Sequence, residues 1–378
     1  MHRCLQVYTQ QLPEGASQPD LVRMAALADG FELRSASAAC AAELAQLPAA
    51  RLEWPTVLWS FRQPDGMADL DSSRLLQRQA RERVQQLLGD LELTVQQQEK
   101  RQQLGQLPHA ALKVLLEEWE TRVAAESTAV AAVALWVAAQ EAAGGAVTLE
   151  ERQELADCIR MVQLPPLYLA TVVPGMAWLQ GVVTMQDALM LAAARGVPQL
   201  DRDTLHIENF VPFKEREPQW QTWLDTSPRC SSACGSVSTT VQVPAAELAD
   251  GRGGEWCSHR VCFGGYELGL RLVADEGGRV AVLAVLGAVG MAPEPGGGGS
   301  EAAHVAAWVD VTFTFPVAEG ELDGWNGSDV WKHGSDRTYF AWPVGMPTAG
   351  WAPERLAPFL HEGKLSIQLT VTRVLPAR

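Results

Sequence analysis

The stretch Leu107-Pro-His-Ala-Ala-Leu-Lys-Val-Leu-Leu-Glu-Glu-Trp119, followed by Glu126-Ser-Thr-Ala-Val-Ala-Ala-Val-Ala-Leu-Trp136, decides how the N-terminal half is read. In its first part Leu112, Leu115, Leu116 and Trp119 recur at three- and four-residue spacing, which places them on one face of an amphipathic helix. In the second, Val130, Val133 and Trp136 form another stripe, with Ser127 or Thr128 as the expected N-cap. The spacing alone predicts a helical hairpin.

Working outward, the helical pattern continues on both sides. Upstream, Leu76, Ala80, Val84, Leu87 and Leu88 give one apolar stripe, and the Arg- and Gln-rich opposite face reads as solvated. Gly89-Asp-Leu-Glu-Leu interrupts that helix, and a Gln-rich stretch to Gln106 reconnects to the hairpin. Downstream, Thr148 with Glu151 three residues later forms a capping box, and Leu155, Cys158, Ile159 and Val162 fall on one side. Helical periodicity stops at Pro198. From Val237 short alternating runs take over: Ser238–Val243, His259–Phe263, Tyr266–Val273, Arg279–Leu286, Ala307–Phe315 and Leu365–Val374. Evenly spaced strands with Gly turns predict an antiparallel sandwich, with Pro293-Glu-Pro-Gly-Gly-Gly-Gly-Ser300 as a flexible loop.

A chain of 378 residues that is 47% hydrophobic has material for roughly two to three packed domains. Thirty basic against 45 acidic residues give a formal charge of -15, which disfavours nucleic acid and anionic membranes as partners. The N-terminus lacks an apolar core of signal-peptide length, and the longest apolar runs fall short of the roughly 20 residues that span a bilayer. Seven cysteines, an odd number, fit reduced thiols, so a cytoplasmic or nuclear location is expected. Cys230, Cys234, Cys257 and Cys262, with His259, are spaced more widely than usual zinc ligands, so no metal and no cofactor is expected. No Gly-x-Ser-x-Gly elbow, phosphate loop or His-rich metal motif occurs, and His333-Gly-Ser-Asp336 reads as a loop, so the chain is not expected to be an enzyme.

Three segments resemble known families. Tyr8-Thr-Gln-Gln-Leu-Pro, Asp20 to Leu33 and Ala39-Cys40 to Leu44 resemble the last third of a BTB domain, with Leu21, Met24, Ala25 and Leu27 packing one helix and Phe31 sealing its end. Its dimer interface belongs to residues upstream of this match, so oligomerisation stays open. The hairpin around Glu126-Ser-Thr, with Arg160-Met-Val-Gln-Leu-Pro-Pro-Leu-Tyr-Leu, resembles the BACK domain that follows BTB domains. Phe263-Gly-Gly-Tyr266, the Val280 and Trp308 strands and Leu365-Ser-Ile-Gln-Leu-Thr-Val resemble a MATH (TRAF-like) domain, with Tyr339-Phe-Ala-Trp342 in place of that family's usual tryptophan turn.

The fold class these resemblances imply is α+β multidomain: an all-α BTB-remnant and BACK region, then an antiparallel β-sandwich of TRAF-like type. Residues 1–50 are the expected BTB part, 51–196 the BACK-like helices, 197–236 a linker, and 237–378 the sandwich with a flexible loop over 292–302. The implied function is a substrate-recognition adaptor of a cullin-type ubiquitin ligase, or alternatively an interaction scaffold with no ligase role. A target peptide would meet Arg279, Tyr339, Phe340 and Trp342, and the cullin scaffold protein would meet Leu107, Leu112, Leu115, Leu116 and Trp119.

Overall fold

The computed structural model describes residues 12, 15–31, 33–62, 71–188, 191, 229–232, 236–249, 254–274, 280–288, 306–317, 320–332, 337–339 and 360–376. Two helices open the described chain, α1 (Gln18–Gly30) and α2 (Arg34–Leu44). Ser17 caps α1 by accepting the Asp20 amide, and Leu21, Ala25 and Ala28 are its buried stripe. The expected packing by Leu27 and the seal by Phe31 do not occur, since these side chains are 53% and 73% exposed. Leu27 lies about a third of a turn from the Leu21–Ala25–Ala28 line at 3.6 residues per turn, so one narrow stripe cannot take both. Met24 packs at the edge, partly buried.

Next come α3 (Trp54–Ser60) and α4 (Asp71–Leu88), in which Leu76, Ala80, Val84 and Leu88 are buried as their spacing predicts. The Gln-rich stretch expected only to reconnect is itself helical, as α5 (Leu91–Gln96) and α6 (Gln98–Gln106). Asp90 starts α5 by accepting the Leu93 amide at 3.2 Å. Helix α7 (His109–Glu117) and helix α8 (Glu126–Ala142) make the predicted hairpin, joined through the two-residue strand β1 (Arg122–Val123). Ala125 takes the N-cap position of α8, so Ser127 and Thr128 lie inside its first turn instead of capping it.

Helix α8 is buried from Glu126 through Val133 on every side, the behaviour of an apolar helix at the centre of a bundle. Close approach depends on small residues there. A Cβ on Gly105 would stand 2.7 Å from the Ala139 methyl, and Gln140 donates to the Gly105 carbonyl at 2.6 Å. Trp136 donates its indole N–H to the Leu107 carbonyl at 2.8 Å. Helix α9 (Leu149–Asp157) carries the predicted capping box of Thr148 and Glu151, and α10 (Pro166–Thr171) follows a 3-10 turn, Met161–Gln163.

Beyond these helices the described residues are mostly β, in two antiparallel five-stranded sheets. One sheet holds β3 (Val237–Pro244), β8 (Ala306–Val317), β9 (Gly320–Lys332), β11 (Leu360–His361) and β12 (Lys364–Pro376). Strand β12 is central to it: Gln368 to Val371 pair with β3 on one edge and with β8 on the other. The second sheet holds β4 (Gly254–Cys257), β5 (Val261–Phe263), β6 (Tyr266–Ala274), β7 (Val280–Ala288) and β10 (Arg337–Tyr339). Alternation supplies the buried faces, Val237, Val241 and Val243 from β3, Leu365, Ile367, Leu369 and Val371 from β12, Leu268, Leu270 and Leu272 from β6. A short helix, α11 (Ala245–Ala249), follows β3.

One contiguous apolar core runs from Leu21 in α1 to Val371 in β12. The end of the expected linker belongs to it structurally. Strand β2 (Cys230–Ser231) pairs in parallel with β1, and Ser232 donates to the Val123 carbonyl and to Asp90. Residues 197–228 of that linker and the loop 292–302 lie outside the described residues, as does His333 to Asp336.

The candidate interaction site and the joint at Glu126 to Thr128

The first turn of α8 places three polar side chains in the core, and each fastens a different part of the chain. Glu126 takes Arg229. The Arg229 Nε donates to both carboxylate oxygens at 3.2 and 3.0 Å, Nη2 donates to the Cys158 carbonyl at 2.8 Å, and Nη1 to the Leu116 carbonyl. The Arg160 amide donates to the same Glu126 carboxylate at 2.9 Å. The two side chains of the ion pair are only 1% and 3% exposed, so their charges are answered by each other and by backbone dipoles, not by water. Guanidinium geometry suits this role, because its planar fork reaches several acceptors at once.

Ser127 and Thr128 face the β-region. Ser127 Oγ donates to the Gly264 carbonyl at 2.5 Å, while Thr128 Oγ1 donates to Glu92 at 2.7 Å. Glu92, fully buried on α5, accepts in addition the Gly264 amide at 3.0 Å and the Gln96 amide at 3.3 Å. Burial raises the Glu92 carboxyl above its ordinary range, and the hydrogen bonds from Thr128, Gly264, Gln96 and the Ala124 backbone partly offset this. The turn Gly264-Gly265 joins β5 to β6 with both residues at positive φ, 60° and 81°. A Cβ on Gly265 would stand 2.3 Å from the Ser127 carbonyl oxygen, so only glycine lets the turn seat on α8. Beside this seam Tyr168 of α10 meets Tyr266 of β6 edge to face, ring centroids 5.6 Å apart.

A cleft of 310 Å³ opens next to the Glu126–Arg229 pair, lined by Lys113, Glu117, Glu154, Asp157, Cys158 and Arg160. Its walls are charged, unlike the apolar walls of most small-molecule sites. Lys113 pairs with Glu154 at 2.9 Å, which raises the lysine and lowers the glutamate from their ordinary pKa values. Burial, with the nearby Glu117 charge, pushes the Cys158 thiol up to about 12, so it stays protonated and is no nucleophile at neutral pH. Cys262 is likewise buried and raised to about 12, and Cys257 is exposed. Cys234 lies outside the described residues. No group of three or more His, Cys, Asp or Glu among the described residues is placed to hold a metal ion.

The residues singled out from the sequence do not converge. Leu107, Leu112, Leu115 and Leu116, expected to face a partner, are all core residues. They are corrected to structural roles: their side chains are buried in the core, where α7 packs against α4 and α9, and such a face offers nothing to a second protein. Trp119 parts from them because α7 ends at Glu117 and Glu118 turns extended (φ -62°, ψ 128°), which leaves the indole 68% exposed. Tyr339 lies on β10 opposite Val282, while Arg279, Phe340 and Trp342 lie outside the described residues. Sequence reasoning passed over Glu92 and Arg229. The one signal for Glu92 was a carboxylate inside Leu91-Glu-Leu-Thr-Val95, an apolar run in which an acid needs a partner.

No protein-family model matches the chain, and no curated protein matches it. Among the described residues no helix is long and apolar enough to cross a membrane.

Proposed function

We propose that this chain is a protein-interaction adaptor without catalytic chemistry of its own, which recognises substrate for a cullin-type ubiquitin ligase. In this reading the C-terminal sheets form a TRAF-like sandwich that binds a target peptide, and the BTB- and BACK-like helices present it to the cullin scaffold in the cytoplasm or nucleus. The observation that carries it is the joint at Glu126 to Thr128. A presenter needs a fixed angle between what it holds and what it is held by, and three consecutive side chains fasten the β5–β6 turn of one sheet, in part through Glu92, and Arg229 to one helix. Backbone edges of the sheets offer the hydrogen bonds that an extended peptide uses.

A second reading is a scaffold with no ligase role. It is favoured by the burial of Leu107, Leu112, Leu115 and Leu116, which leaves Trp119 as the single open side chain of the cullin-facing set. Calorimetry of the purified chain against the N-terminal domain of a BTB-binding cullin separates the two. The adaptor reading predicts saturable binding that weakens in Trp119→Ala. Absence of binding leaves the scaffold reading.

A further inference from the structure

Glu92 lies fully buried on the seam between the helices and the sheets, and each hydrogen-bond partner of its carboxylate supplies a donor. Oε1 accepts the Gly264 backbone amide at 3.0 Å and the Gln96 side-chain amide at 3.3 Å. Oε2 meets the Thr128 hydroxyl at 2.7 Å, and the Ala124 backbone adds a further bond. One side chain of α5 thereby holds α8 and the β5–β6 turn together.

The charged groups of the surrounding elements are engaged elsewhere or turned to solvent. From α8 comes Glu126, whose charge is taken by Arg229, and from β6 comes Glu267, paired with Arg260 at 3.0 Å. Asp90, at the start of α5, accepts from Ser232 and from the Leu93 amide. Arg122 of β1 and Glu99 of α6 are exposed, and the last five residues of α4, Val84 to Leu88, are uncharged. Lys100 and Arg101 of α6 are partly buried, and the Arg101 charge acts on the Cys262 thiol of β5, as does that of Glu92. Among the described residues none of these cations forms an ion pair with Glu92.

An ionised carboxylate here has donors but no opposite charge, and desolvation is the larger effect, so the carboxyl is raised above its ordinary range. With the proton on, the contacts survive. Oε1 still accepts from Gly264 and Gln96, and the Thr128 hydroxyl, which can accept as well as donate, takes the Oε2 proton. Proton loss therefore charges the seam without adding a partner, while release of the turn lets the carboxylate meet water.

We propose that Glu92 is a proton-operated latch: the Gly264-Gly265 turn seats on α8 while the Glu92 carboxyl keeps its proton, and lifts from it when the proton is lost. The device belongs to the seam and stands whether or not the chain serves a ligase. Its sign follows from linkage. Seating is complete below the ordinary carboxylate value and weakens as pH rises through the raised folded value, beyond which it stays level.

Three thiols report on it. Cys262 is buried beside the turn, Cys257 on the neighbouring strand β4 is exposed, and Cys40 is buried in α2, which packs on α1 and α4. The full chain is treated with a pyridyl disulfide, which reacts with thiols from acid to neutral pH, and each cysteine's rate is read by non-reducing peptide mapping. Dividing the Cys262 rate by that of Cys257 removes the pH dependence of the reagent itself. The ratio is expected to rise by up to about tenfold per pH unit across the window and then level off, while Cys40, on the same scale, stays unchanged. Glu92→Gln, neutral at every pH, is expected to give a flat ratio. Thr128→Val removes a donor to the anion, so the levelling-off moves to higher pH, and this variant carries the test where Glu92→Gln does not fold. A flat ratio in the parent, the same rise in Glu92→Gln, or an unmoved plateau in Thr128→Val would overturn the latch. So would a Cys40 rate that climbs with that of Cys262, because the whole chain is then unfolding.

Discussion

Arg229 and Glu126 bury opposite charges where no water reaches, so each depends on the other. Removing one leaves a bare charge in the core, which costs about 3–5 kcal/mol in comparable pairs. Arg229→Ala is therefore expected to lower the urea midpoint strongly, and a change under about 1 kcal/mol would show that the pair contributes little. Tyr168 gives the opposite case. Its ring is fully buried and its hydroxyl has no hydrogen-bond partner among the described residues, so there the phenol loses water without compensation. Tyr168→Phe should raise the unfolding free energy by about 1 kcal/mol, with the Tyr266 contact retained. Neither residue stood out in the sequence. Arg229 follows a stretch without periodicity, and Tyr168 was read only as part of a Leu-Pro-Pro-Leu-Tyr-Leu resemblance, because burial of a polar atom is decided by distant segments.

Among the elements, those with local signals were legible. The capping box at Thr148, the stripe of α4 and the strands over Tyr266–Ala274 and Lys364–Pro376 follow from spacing and short-range hydrogen bonding alone. Others were hidden for physical reasons. Gly320–Lys332 forms a long strand although its sequence, rich in Gly, Asp and Asn, has no period of two; its pairing with β8 supplies what propensity does not. Trp119 continued the α7 pattern in register, yet the helix stops two residues before it, so periodicity outlived the helix. Gly264-Gly265, between two strand patterns, marks a turn in the sequence, but nothing in the sequence shows its seat against Ser127. Gly265→Ala would drive a methyl into the Ser127 carbonyl at a positive φ. We expect it to loosen the seam more than the helices, so that amides of β5 and β6 exchange hydrogen faster while those of α4 do not.

At the scale of the whole molecule, helices then antiparallel sheets is the order that the change of period at residue 237 announced, and one core joins them. The junction carries a pH signature through Glu92. Its carboxyl is raised above 4.5 in the folded chain, so the folded state holds that proton more tightly than the unfolded one. Its contribution to stability is full below the ordinary carboxylate value and is lost as pH rises through the raised folded value. Unfolding free energy measured against pH should thus fall across that window in the parent relative to Glu92→Gln, and parallel curves would remove Glu92 from the account.

Through the Glu126 to Thr128 joint and the shared core, the helices and the sheets are expected to unfold as one body. Hydrogen exchange followed by mass spectrometry across a urea series checks this by comparing amides of α8 with amides of β12. The joint at Glu126 to Thr128 predicts that both lose protection at the same urea concentration, and that Gly265→Ala separates them. Loss of protection in β12 well before α8 in the parent chain would contradict the claim, since the sheets would then be hinged on the helices instead of locked to them.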